Sequence, residues 1–170
     1  MESETKGKVI LAHRRIETIE LAPVKVDQGH LIEEYVAEAR KAGWLVNSDI
    51  SSDNVIATEG TPEISGVHER NISVSRFIPE GDEPWGTDAV MAEIGKPGLA
   101  FTFADLIKMI DYRDELMERG VRWLNAMGAR FRDSGGDPCV AYLRLEDRDV
   151  GLYWLEGDWD GLDWFGSVGK

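Results

Sequence analysis

The chain has 170 residues, 42% hydrophobic and 30% charged, with 32 acidic against 19 basic side chains and a net charge of −13. This is the composition of one ordinary globular domain spanning 1–170, and it excludes disordered and collagen-like classes. The negative field repels phosphates and anionic lipid, so direct nucleic-acid binding and membrane association are not expected, while basic proteins are attracted.

Taken in chain order, residues 8–13 read as a short strand and 15–26 as a second. Pro23 cannot donate to a ladder, so the second is an edge or is interrupted there. Asp27 then leads into an amphipathic helix over about 29–42, with Leu31, Tyr35 and Ala39 at helical spacing and Gly43 as its stop. Trp44 is expected to fold back on it as core. Residues 47–53 are rich in turn formers, and strands are expected over 54–58 and 71–78. In the latter, Ile72, Val74 and Arg76 oppose Ser73, Ser75 and Phe77, an imperfect alternation. Loops over 59–70 and 79–86 surround it. Thr87-Asp88 caps a short helix, Ala89 to Ile94.

The longest helical pattern runs over about 103–131. Thr102 and Asp105 have capping-box spacing, and two adjacent apolar stripes follow, one with Phe103, Leu106, Ile107, Ile110, Met117, Val121 and Leu124. Gly120 marks a site for a break. A C-terminal β-hairpin over 139–155 follows the Ser134-Gly-Gly-Asp-Pro loop. The expected fold class is α+β, a mainly antiparallel sheet packed against the long helix (about 103–131) and the shorter one (about 29–42).

Catalytic and cofactor motifs are absent. Cys139 is the only cysteine, which excludes an internal disulfide and a cysteine zinc cage. With a charged N-terminal stretch and no apolar run of signal-peptide length after it, the expected compartment is the cytoplasm. His13, His30 and His68 share no ligand spacing, and neither a Gly-x-Ser-x-Gly elbow nor a phosphate-cradling glycine loop occurs. Asp158 to Asp163 misses the calcium-loop pattern, with glycine at the wrong position. No cofactor and no metal are expected.

What remains is acid interleaved with indole. Residues 51–100 carry nine acids against three bases, and 151–170 four against one. Glu80, Asp82 and Glu83 form one cluster; Glu156, Asp158, Asp160 and Asp163 form another, beside Trp159 and Trp164. Aromatic anchors inside a negative rim are what a basic protein surface docks on. The expected function is therefore an acidic protein-binding module, an inhibitor occluding a basic, nucleic-acid-handling protein. Antirestriction, anti-CRISPR and immunity-type proteins share this size and charge, an analogy of class. A solvated turn whose indoles pack inward would explain the same residues without a partner. One alternative function is a small hydrolase with a carboxylate- and Trp-lined cleft. Another is an assembly or scaffold subunit, forming a homo-oligomer through helix 103–127.

Overall fold

The computed structural model describes residues 15–57, 64–78, 86–94 and 99–169. The strand expected over 8–13, and Glu80, Asp82 and Glu83, lie outside the described residues.

Pro23 divides the second expected strand. β1 (Arg15–Glu20) and β2 (Val24–Gln28) are separate, with Leu21 to Pro23 as the corner between them. β2 pairs antiparallel with β5 (Gly66–Arg70), where the sequence suggested only loop. Almost all of β5 is exposed, so no apolar alternation marked it. Between them come α1 (Ile32–Lys41), β3 (Leu45–Val46), a 3-10 turn and β4 (Val55–Ile56). β6 (Ile72–Ile78), α2 (Thr87–Ile94) and β7 (Leu99–Ala100) follow.

The stretch 103–131 is where the fold departs furthest from the sequence pattern. It is helical only to residue 118, through α3 (Phe103–Lys108), a 3-10 turn (Met109–Tyr112) and α4 (Arg113–Glu118). The capping box is present: Thr102 Oγ1 accepts from the Asp105 amide, and Asp105 Oδ2 from the Thr102 amide. At the other end, Gly120 takes φ +93°, its amide bonds Met117 O, and the Val121 amide bonds Leu116 O. This is a Schellman closure, completed by burial of Leu116 and Val121. The chain then re-enters as strand β8 (Trp123–Arg132). β8 is covered on both faces, so its apolar residues occupy both parities and the period of two is lost. No single apolar helix face exists along 103–127: Phe103, Leu106, Ile107, Met109 and Leu116 are spent on the protein's own core.

β9 (Pro138–Arg144) and β10 (Asp149–Trp154) form the expected C-terminal hairpin, and β11 (Asp163–Val168) closes the chain. Among the described residues the main sheet has nine strands, in the order β1-β6-β11-β8-β9-β10-β3, with β4 beside β8 and β7 beside β11. The fold is thus α+β and sheet-dominated. Most junctions are antiparallel, but β11 with β8 and β10 with β3 are parallel.

Two cores lie on the two faces. On the first, α1, β2, α3 and α4 cover the sheet, with Tyr35, Val26, Leu106 and Leu116 packed on Val74, Leu124 and Leu143. On the second, α2 and the Trp159 segment cover only part of it, with Val90, Ile94 and Trp159 packed on Phe77, Val140 and Phe165. The rest of that second face is open.

Candidate functional site

Strand register lays out the open face in rows. Asp163 of β11, Trp123 of β8, Arg144 of β9 and Asp149 of β10 stand side by side. In the next row come Phe165, Asn125, Tyr142 and Gly151. Tyr153 lies opposite Val140 in the row beyond. The turn between β10 and β11 carries Asp158, Trp159 and Asp160 over this surface. The result is a cleft of about 230 Å³ lined by the aromatic residues Trp123, Tyr142, Tyr153 and Trp159, by Asn125 and Arg144, and by Asp158, Asp160 and Asp163.

Two glycines seat the rings. A β-carbon at Gly151 would stand 2.5 Å from the Tyr142 ring, and one at Gly157 would stand 2.5 Å from Tyr153. Tyr153 is fixed further by its hydroxyl, which donates to Asp158 O at 3.0 Å, and by the Trp159 ring at 4.8 Å. Trp123, 39% exposed, forms the opposite wall, and the Arg144 guanidinium lies 6.0 Å from its ring centre. Arg144 Nη1 pairs with Asp147 at 2.9 Å, while its Nε is buried without a partner among the described residues.

The acids are partly committed to the turn. Asp163 Oδ2 accepts from the Asp160 amide at 3.1 Å and Oδ1 from Asn125 Nδ2 at 3.4 Å. Asp160 Oδ1 accepts from the Leu162 amide at 2.8 Å. Burial raises the Asp163 pKa above the usual carboxylate range and the Asp160 charge adds to this, while the two hydrogen bonds pull the other way.

The sequence names Trp159 and Trp164 as anchors without fixing which way they face, and the structure turns both inward. Trp159 is 2% exposed and Trp164 5%. Trp159 Nε1 donates to Thr87 Oγ1 at 3.1 Å, and its ring packs edge-on against Phe165, so it tethers the turn to α2. Trp164 points to the other face of the sheet, where the Arg76 guanidinium covers it at 5.5 Å. Both indoles pack inward, as apolar rings on a sheet that has cores on both sides must. Glu156 is separated too, lying in a different hollow with Asp137, Pro138 and Trp154. Among the described members of the expected set, the turn brings together Asp158, Trp159, Asp160 and Asp163 at the cleft.

The residues that sequence reasoning missed are Trp123, Tyr142 and Tyr153. Tyr142 and Tyr153 were legible in principle, since hairpin alternation puts Val140, Tyr142 and Arg144 on one face. Trp123 was hidden by its assignment to a helix.

Elsewhere the titratable groups serve structure. Cys139 is buried, and burial, with Asp133 next, pushes its thiol up to about 11, consistent with a small core residue. His30 sits between Asp27 and Glu34, and no described histidine lines the cleft. No group of three metal-ligating side chains is assembled among the described residues. Among them, no helix is long and apolar enough to cross a membrane. Compared with protein-family models, with curated proteins and with solved structures, the chain matches none.

Proposed function

We propose that this protein is a binding module that takes a basic side chain of a protein partner into the cleft on the open face of its sheet. The observation that carries the reading is the lining itself: fixed aromatic rings and three aspartates, against a single cation, Arg144, that is itself paired with Asp147, in a chain of net charge −13. Rings supply apolar area and a negative π-face to a cation, and carboxylates supply its counter-charge. Trp123, 39% accessible, lines the cleft and offers exposed aromatic surface to the rest of the partner.

A basic, nucleic-acid-handling protein is the partner this charge selects, and docking here would occlude the surface that such a protein presents to phosphates. The test is calorimetric titration with lysine- and arginine-rich peptides at low and high salt. Wild-type protein binds, and binding weakens with salt. The variant Asp158→Asn, Asp160→Asn, which leaves Asp163 and both of its hydrogen bonds in place, binds more weakly and with a flatter salt dependence. Unchanged affinity in that variant refutes the reading.

A further inference from the structure

Resting on the reading above, we propose that the preferred occupant of the cleft is a fully alkylated ammonium group, as in a trimethylated lysine side chain, rather than a guanidinium or a bare primary ammonium.

Three features carry this, and the rings matter more than the acids. First, the walls are aromatic and pre-set: Tyr142 lies on Gly151, and Tyr153 is held between Gly157, the Trp159 ring and its own bond to Asp158 O. A cation over fixed rings gains its attraction without first ordering them. Second, half of the cleft's carboxylate oxygens are already accepting hydrogen bonds: both of Asp163, from Asp160 and Asn125, and Oδ1 of Asp160, from Leu162. The Tyr153 hydroxyl is likewise used. A primary ammonium has three N–H donors and a guanidinium five, and each must regain an acceptor on leaving water. A fully alkylated ammonium has no such demand, so it loses nothing where half of the carboxylate oxygens are already bonded within the turn. Third, the open volume of about 230 Å³ corresponds to roughly seven waters at ~30 Å³ each, room for a branched headgroup and part of its stem.

The test follows the Trp123 indole and the 158–163 amides by proton–nitrogen NMR during titration of the intact protein. The small probes are tetramethylammonium, methylammonium and guanidinium. A peptide carrying trimethyl-lysine is then compared with the same peptide unmethylated. The account expects tetramethylammonium to bind about threefold to fivefold tighter than methylammonium, with a similar gain for the trimethylated peptide. A gain for the peptide with none for tetramethylammonium also supports the proposal and assigns the source to a protein side chain. Trp123→Ala, at a partly exposed position, should abolish the alkyl preference, whereas Asp158→Asn should weaken every cation alike. Equal or tighter binding of methylammonium and of the unmethylated peptide overturns the inference while leaving the basic-partner reading standing. No cleft shift with any cation overturns both.

Discussion

Tyr142 rests directly on Gly151 across the β9–β10 hairpin. The two are register partners, and a β-carbon at 151 would stand 2.5 Å from the ring's Cζ and hydroxyl oxygen. The tyrosine can lie over the sheet and line the cleft only because its neighbour has no side chain. Gly151→Ala must displace the ring. We expect a folded protein destabilised by about 1–3 kcal/mol, the usual cost of overpacking, with cation binding reduced severalfold. Denaturant unfolding and peptide titration of the same variant measure the two effects.

Away from the cleft, the buried Asp105 carboxylate joins the helical layer to the small β2–β5 sheet. Arg70 meets it with two arms, Nε to Oδ1 at 3.2 Å and Nη2 to Oδ2 at 3.0 Å, and Gln28 Nε2 donates to Oδ1 at 2.9 Å. Removing one partner strands a desolvated charge. Arg70→Met should cost about 3–5 kcal/mol in urea unfolding, far more than loss of an exposed pair such as Lys108–Asp111, worth about 0–1 kcal/mol.

His30 gives the fold a pH dependence. Its two ring nitrogens face Asp27 at 2.9 Å and Glu34 at 2.8 Å, and only the imidazolium can donate to both. The hydrogen bond to Asp27, then that to Glu34, raises its pKa above the ordinary 6.5. The folded state therefore holds the proton more tightly than the unfolded one. The stabilisation is fully present below 6.5 and is lost as pH rises through the raised folded value. His30→Gln should flatten the fall in stability across that window; an unchanged slope would assign it to other groups.

Much of the fold was legible in the sequence, and the main error traces to one motif. Both helical runs end in the same closure. Gly43 at φ +91° sits before buried Trp44, whose amide bonds Ala39 O, just as Gly120 sits before buried Val121, bonded to Leu116 O. The first was readable as a stop because polar turn formers follow it. The second was overrun because β8, buried on both faces, continues the apolar density of the helix. No atom lies within 4 Å of a β-carbon built at either glycine, so only backbone strain opposes a side chain. Gly43→Ala and Gly120→Ala should each cost about 1–2 kcal/mol by denaturant unfolding.

The site was legible in its acids and not in its rings. Asp158, Asp160 and Asp163 were singled out by charge, and one turn gathers them. Trp159 and Trp164 were singled out by type, but indoles beside a sheet with two cores are drawn inward, and sequence spacing alone did not say which way they turn. Besides Trp159, the rings that line the cleft come from β8, β9 and β10, brought side by side by strand pairing.

The central claim is that this cleft takes a cation from a partner. Its most direct measurement is the NMR response of the Trp123 indole and the 158–163 amides to a lysine-rich peptide and to a glutamate-rich peptide of equal length. The account predicts saturable shifts confined to the cleft with the basic peptide, lost in Trp123→Ala, and none with the acidic one. Shifts of equal size with both peptides, or saturation at residues away from the cleft, would contradict it.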